Sequence, residues 1–455
     1  MGFSRGGFDL GNIICALGLL GATGLASWLL MKPAARAGLH LGLVDLPSTR
    51  RTRARPIPTT GGLFVFGVFA LSVFASMRLC GDFDADVPAK LWALMAGGVV
   101  IVVLGMLDDR LNLRPHVKLI VQTAVAVTMV AAGVGIEHVR FLFGPVHALG
   151  WLTYPVTVFW FLGFMNAINL VDGLDGLASG IAAIGALGLF AVGIINENPL
   201  LYLMAAGLLG STVGFLLHNF REGNIYLGDA GSMVLGFFLA GGSVVGAYGD
   251  GASNALLVAG ACMAVPAFDV VTTIMRRRKS RRGVMSPDRS HTHHRLIRFG
   301  LNPKMSVVVL WGVTFFFGGQ MLGYIAPHGL IYIMSSYVVA AMVANVVVDQ
   351  HRKNTRTIRS DLKQELLYLA GHPQSFSTAD AHDGMTLREL IVAQIRREAR
   401  YRRIVRSELQ TLVDGSPTGR ESAVAVSDGE PAPPGRRKDA DAEFPDHRGE
   451  PIVRS

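Results

Sequence analysis

Charge is what this chain has least of. Only 16% of its 455 residues are Asp, Glu, Lys or Arg, 51% are hydrophobic, and mean hydropathy is +0.41. An average soluble domain carries roughly 25% charged residues, so the scarcity excludes an ordinary water-soluble globule. Cysteine is nearly absent as well. Cys15, Cys80 and Cys262 lie in or beside apolar runs at no metal-ligand spacing, and an odd count argues against a disulfide framework. They read as packing residues. A convincing small-residue cleavage site is also missing after the first apolar run, and Met1–Leu10 holds a single Arg. That run reads as an anchor and not as a signal peptide.

What is present is apolar length. A helix needs roughly 20 residues to cross a ~30 Å hydrocarbon core, and eleven such stretches can be drawn, at about 12–31, 61–79, 90–107, 116–135, 152–170, 175–195, 199–217, 231–248, 253–275, 305–325 and 329–348. The fold expected is all-α: a polytopic membrane protein with about eleven transmembrane helices and a cytoplasmic C-terminal extension. Glycine pairs inside the spans, such as Gly97-Gly98, Gly241-Gly242 and Gly318-Gly319, suit close helix approach in a membrane.

Orientation follows from the excess of Lys and Arg in cytoplasmic loops. Lys32, Arg36, Arg50, Arg51, Arg53 and Arg55 follow span one, and Arg276, Arg277, Arg278, Lys279, Arg281 and Arg282 follow span nine. The loop with Asp82, Asp84 and Asp86 and the turns Asn196-Glu-Asn198 and Gly249-Asp-Gly251 lack that excess and face outward. The N-terminus is then outside and the C-terminus inside. Most of the basic run 276–282 is read as a topology determinant touching anionic headgroups. No nucleic-acid partner is expected, and Trp151 and Tyr154 read as interfacial anchors at the outer end of span five.

The polar residues that interrupt this pattern converge. Asp108-Asp109 ends span three, Asn169-Leu-Val-Asp172-Gly173-Leu-Asp175 fills the turn between spans five and six, Asp229 opens span eight, and His291-Thr-His293-His294 follows span nine. All fall on the cytoplasmic side. Unpaired carboxylates at a bilayer edge are costly, so agreement among independent loops outweighs any single motif. Alone, Asp-Asp at a helix end is more often a cap or a solvated loop.

Five ordered motifs carry a family resemblance: Asp45-Leu-Pro47 with Pro58 and Gly61-Gly62; Gly105-Met-Leu-Asp108-Asp109-Arg110; Asn166-Ala-Ile-Asn169-Leu-Val-Asp172-Gly173-Leu-Asp175-Gly176-Leu177; Gly228-Asp229-Ala-Gly231-Ser232; and His291-Thr-His293-His294-Arg295. The chain resembles the polyprenyl-phosphate N-acetylhexosamine-1-phosphate transferases, bacterial inner-membrane enzymes that begin envelope glycans. One departure is Arg53, where relatives often carry His. The resemblance implies a UDP-N-acetylhexosamine donor, a polyprenyl (undecaprenyl) phosphate acceptor, a cytoplasmic active site and Mg²⁺, with Mn²⁺ an alternative. Oxygen ligands suit that ion, which usually takes one or two carboxylates. Asp229 and Asp172 are the metal ligands so implied.

Asp108 and Asp109 fit a base for the lipid phosphate or a residue that positions it. The resemblance leaves open whether an aspartate or the lipid phosphate attacks. His291, His293 and His294 join the catalytic set through phosphate contact, because Arg289, Arg295 and Arg298 surround them and no thiolate is near; a zinc site is the weaker reading. Asn169, Asp172, Gly173, Asp175, Asn219 and Arg295 form the substrate-binding set, with Asp175 and Asn219 assigned to base and ribose.

Two other functions compete. A proton- or metal-coupled transporter also carries intramembrane acids, but at mid-bilayer, and here they sit at one interface. The peptidoglycan branch, which transfers phospho-N-acetylmuramoyl-pentapeptide, shows three consecutive histidines and then an aromatic; here Thr292 interrupts the run and Arg295 follows it. The transferase domain is drawn at 1–349 and a cytoplasmic helical extension at 350–414. Residues 384–414 place Leu387, Leu390, Ile391, Ile395 and Ile404 among arginines, which reads equally as a solvated coiled segment or as an amphipathic helix that lies on the inner leaflet or pairs with a second copy in a homodimer. Residues 415–455 read as a disordered tail.

Overall fold

The computed structural model describes residues 10–45, 56–79, 86–140, 145–247, 254–279, 291–298 and 300–371. Each of the eleven predicted apolar stretches falls on a helix or, for the ninth, on a pair of helices. In chain order they are α1 (Leu10–Leu41), α2 (Gly61–Leu79), α3 (Asp86–Leu111), α4 (Pro115–Ala131), α5 (Thr153–Val171), α6 (Leu177–Ile195), α7 (Pro199–Glu222), α8 (Gly228–Val245), the pair α9 (Asn254–Cys262) and α10 (Ala264–Lys279), then, after the short α11 (Thr292–Arg298), α12 (Pro303–Ile325) and α13 (Gly329–Gly371).

Nine of the described helices are long and apolar enough to cross a bilayer, or ten if the bent pair counts as one span. The other expected crossing, at 116–135, is shorter than drawn: α4 has 17 residues, about 26 Å at 1.5 Å per residue. The ninth span is broken, its halves meeting at 61°. Pro266 lies in the first turn of α10, where its missing N–H costs a new helix nothing but would interrupt a continuous one.

Local chemistry sets several ends. Asn198 and Asn302 each precede a proline and cap α7 and α12, accepting the N–H of Leu201 at 3.0 Å and of Met305 at 2.8 Å. Two antiparallel strand pairs interrupt the helices: β1 (Val44–Asp45) with β2 (Ile57–Pro58), and β3 (His138–Arg140) with β4 (Val146–Ala148). The second forms a hairpin that the apolar pattern gave no sign of.

α8 is the centre of the bundle, with 89% of its apolar window buried against 6% for α13. It is held by backbone contact. A Cβ on Gly62 would fall 2.1 Å from the Cα of Gly231, one on Gly105 2.2 Å from the Cα of Ala230, and one on Gly236 2.6 Å from the carbonyl of Phe164. These glycines let α2, α3 and α5 approach closer than any side chain allows.

One sequence expectation changes. Cys15 is disulfide-bonded, so it is not merely a packing residue; Cys262 is a buried free thiol. α13 continues past residue 349 to Gly371. The chain divides into compact units Met1–Leu367 and Tyr368–Ser455. The amphipathic stretch 384–414, the tail 415–455, and Cys80, Arg53, Asp82, Asp84, Arg281, Arg282 and Arg289 lie outside the described residues.

Candidate active site

The ends of α3, α4, α5 and α8 meet around four charges. Asp108, 4% exposed, accepts the Leu113 N–H at 2.9 Å on one oxygen and meets Lys118 Nζ at 2.5 Å with the other. Lys118 also stands 3.8 Å from Asp229 Oδ2. The other Asp229 oxygen accepts from Asn169 Nδ2 at 2.8 Å, and the same amide nitrogen lies 2.9 Å from Ser232 Oγ. Asp109 faces the start of α8, accepting the N–H of Asp229 at 2.9 Å and that of Ala230 at 3.5 Å. The adjacent aspartates therefore do different things: Asp108 holds a cation, and Asp109 receives the first free amides of a helix.

The first motif positions Asp229 from behind. The N–H groups of Gly61 and Gly62 donate to the carbonyls of Tyr226 and Leu227 at 3.1 and 2.9 Å, and the Tyr226 N–H donates to the Pro58 carbonyl at 2.8 Å. Gly228 turns the chain into α8 at φ 73°, and a Cβ there would meet Asp109 Oδ2 at 2.6 Å.

The turn between α5 and α6 links this cluster to the histidines. Asp172 is the residue after α5, its N–H donating to the Asn169 carbonyl at 3.3 Å, and Asp172 and Asp175 are both half-buried. A Cβ on Gly173 would fall 2.8 Å from His293 Nε2, so His293 packs directly on the turn. Gly176 ends the turn at φ 84°. Asn219 fixes it there: its Oδ1 accepts the Gly176 N–H at 2.5 Å and its Nδ2 donates to the Ile225 carbonyl at 2.8 Å, with the residue 4% exposed. Asn219 thus has both ends of its amide on backbone. Each end keeps one more hydrogen-bonding valence, so these bonds are compatible with the base or ribose contact expected of it.

His291, His293 and His294 cluster, His291 stacking on His293 with ring centroids 5.7 Å apart and His294 tilted against His293 at 4.3 Å. His293 is 1% exposed and His291 8%. Among the described residues, both ring nitrogens of His293 and Nδ1 of His291 are buried without a hydrogen-bond partner. Burial first, and then the neighbouring imidazoles of His294 and His291, hold the pKa of His293 down to about 3, so its ring is neutral at ordinary pH. Arg295 is exposed on α11.

Sequence reasoning missed Lys118 and Asp269. Lys118 is the one Lys, Arg, Asp or Glu in α4, and a lone cation in an apolar helix was the available signal. Asp269, 1% exposed in α10, accepts both the N–H of Thr292, at 2.9 Å, and its hydroxyl; the neighbouring basic run masks it in the sequence. Among the described residues no group of three or more His, Cys, Asp and Glu side chains is arranged to hold a metal ion. A hard-cation site completed by water and substrate oxygens does not need one.

Known proteins match much of this chain, and the family model spans the helices that carry the acidic cluster. The model of glycosyl transferase family 4 covers residues 91–247. A probable undecaprenyl-phosphate N-acetylglucosaminyl 1-phosphate transferase of Bacillus subtilis is 35% identical over 62% of this chain and 77% of its own length. A decaprenyl-phosphate N-acetylglucosaminephosphotransferase of Mycobacterium tuberculosis is 32% identical over 73% of this chain and 88% of its own. An undecaprenyl-phosphate alpha-N-acetylglucosaminyl 1-phosphate transferase of Salmonella typhi is 27% identical over 61% and 75%. With its motifs gathered at one end of the bundle, the chain belongs to glycosyl transferase family 4, among the polyprenyl-phosphate N-acetylhexosamine-1-phosphate transferases.

Proposed function

We propose that this membrane enzyme transfers N-acetylglucosamine 1-phosphate from UDP-N-acetylglucosamine to polyprenyl phosphate, releasing UMP. The observation that carries the reading is the Lys118-bridged pair Asp108 and Asp229, set beside a turn against which the buried imidazole of His293 packs. Such a site offers cationic and neutral donors to phosphoryl oxygens, which is what transfer between two phosphates requires.

An oxygen of the lipid phosphate attacks the sugar-bearing phosphorus of the donor, the bond to the UMP oxygen breaks, and UMP leaves. Both aspartates of the first pair are held by donors, Asp108 by Lys118 and Asp109 by the amides of α8, which blunts them as nucleophiles. That favours the lipid phosphate as the attacking group, with Asp108 positioning Lys118 and Lys118 facing the charge that develops.

Three carboxylates surround one lysine, so the cluster is net negative, and its donors are oxygens. Asp229 of this set, with Asp172 from the adjoining α5–α6 turn, would hold Mg²⁺ or Mn²⁺. When bound, the ion neutralises charge on the diphosphate.

We place the site at the cytoplasmic face of the inner membrane. Lys32 and Arg36 lie at one end of α1, whereas disulfide-bonded Cys15 lies near the other; basic residues favour the cytoplasmic side and disulfides the oxidising one. The test is UMP release by purified protein. The reading requires UMP only when polyprenyl phosphate and UDP-N-acetylglucosamine are both present, at a rate above that with other UDP-sugars. Ion-coupled uptake into proteoliposomes with no UMP would overturn it in favour of a transporter.

A further inference from the structure

We infer that Asp269 is a positioning residue, which acts through Thr292 to hold His291 and His293 where the phosphates of the donor bind. A carboxylate with 1% exposure is costly to bury unless hydrogen bonds meet its charge. Both donors recorded for it come from Thr292, whose backbone N–H and hydroxyl converge on the same oxygen, Oδ1. Charge-assisted bonds of this kind are about twice as strong as neutral ones. Asp269 stands five residues beyond the bend of the broken span, and Thr292 is the first residue of α11. The pair therefore ties the far half of that span to the histidine segment.

The position of the tether gives it a functional meaning. The residues on either side of Thr292 are His291 and His293, both more than nine-tenths buried and both carrying ring nitrogens with no hydrogen-bond partner among the described residues. Imidazoles left unsatisfied in a buried site lose free energy in the resting protein. They are useful only if held in register for a ligand that satisfies them, and the next wall is Gly173 of the α5–α6 turn, against the ring of His293. A bond placed between the two fixes both at once and touches neither. Preorganisation of this kind is worth most when donors must not move as charge shifts. The position needs a side chain that adds a hydroxyl donor to its own amide, which Thr and Ser provide and Val does not.

The kinetic part of the test rests on the transferase reading above, and the exchange part does not. Full-length protein is purified as wild type, Thr292→Val, Thr292→Ser, Asp269→Asn and the Asp269→Asn/Thr292→Val double variant. Amide hydrogen exchange over residues 291–298 is expected to speed up about tenfold or more in Thr292→Val and Asp269→Asn, and to stay near wild type in Thr292→Ser. KM for UDP-N-acetylglucosamine should rise about tenfold in the same two variants, with KM for the lipid phosphate unchanged. The double variant should be no worse than the singles, because both remove one interaction. Unchanged exchange in Thr292→Val, equal rises in both KM values, or additive losses in the double variant would each overturn the proposal. Absence of UMP from the wild type would instead refute the transferase reading and leave the exchange experiment to decide the tether.

Discussion

Lys118 Nζ lies 2.5 Å from Asp108 Oδ2 and 3.8 Å from Asp229 Oδ2, so one ammonium joins the end of α3 to the start of α8. The pair with Asp108 is mostly shielded, the two side chains being 20% and 3% exposed. Removing the cation strands a buried charge, and a stranded partner is worse than no pair at all. Lys118→Met is therefore expected to cut turnover by about two to three orders of magnitude, the scale seen for loss of a donor to developing charge, while Lys118→Arg retains part of it. Steady-state UMP release, with a size-exclusion profile to confirm folding, measures this. Turnover within threefold of wild type in the Met variant would show that the lysine is structural.

Asp229 bears the metal assignment. Chelation of divalent ions should abolish transfer, and Mg²⁺ or Mn²⁺ should restore it. Asp229→Ala should stay inserted and monodisperse yet remain inactive at any metal concentration. Near wild-type turnover of that variant with Mg²⁺ would move the ligand elsewhere.

Gly105→Ala tests the packing that brings α3 and α8 together. The added methyl would sit 2.2 Å from the Cα of Ala230, with backbone rather than a flexible side chain in the way. Overpacking of this sort costs about 1–3 kcal/mol or more, and the displaced helix carries Asp108 and Asp109. Lower thermal stability and lost activity should appear together. A variant as stable and active as the parent would mean that α3 has freedom the structure does not display.

His293 sets an acid limit. Its pKa is held to about 3 in the folded chain, against roughly 6.5 for a free imidazole. Between those values the unfolded chain binds a proton that the native one does not, so stability falls as pH drops from about 6.5 towards 3, by up to about 1.4 kcal/mol per pH unit. Above about 6.5 this contribution to the pH dependence vanishes. His293→Gln, with no such proton to bind, should show a flatter acid limb in a thermal-shift series from pH 8 to pH 4.5. Parallel limbs in the two proteins would place the acid sensitivity elsewhere.

Orientation can be read by thiol labelling. With the native cysteines accounted for, Val146→Cys on the exposed hairpin should react with a membrane-impermeant maleimide in intact cells, and Arg221→Cys at the end of α7 should react only after lysis. The reverse pattern would put the catalytic end outside, away from any cytoplasmic nucleotide.

Much of this was legible before folding. Apolar runs of membrane-crossing length gave all eleven helical stretches, since the bilayer demands internally bonded backbone over a fixed thickness. The bend after α9 was not legible in hydropathy, which does not fall across 253–275, although Pro266 was its local cause. The acids of two motifs, Asp108-Asp109 and Asp229, meet, and the third motif joins them through the amide of Asn169. What they meet was harder to foresee: Lys118 is a single cation ten residues past Asp108, and snorkelling to the interface would explain it equally well. Asn219 illustrates the opposite difficulty, because an amide that ties Gly176 to Ile225 leaves the same trace in a sequence as one that touches a nucleotide. Cys15 carried no sign that it is disulfide-bonded, since an odd cysteine count hides a single bond.

The glycine contacts around α8 bear on how such an enzyme can change over time. Where two backbones touch at Gly62 and Gly231, or at Gly105 and Ala230, the smallest possible enlargement is already too large, so the room for gradual variation there is close to none. α13, with 6% of its window covered, answers mainly to the bilayer, and any apolar residue serves. Drift should therefore run freely over the lipid-facing rim while the interior stays nearly frozen, and new donor preferences would have to arise at the turns and the histidine segment, not in the helices that aim them.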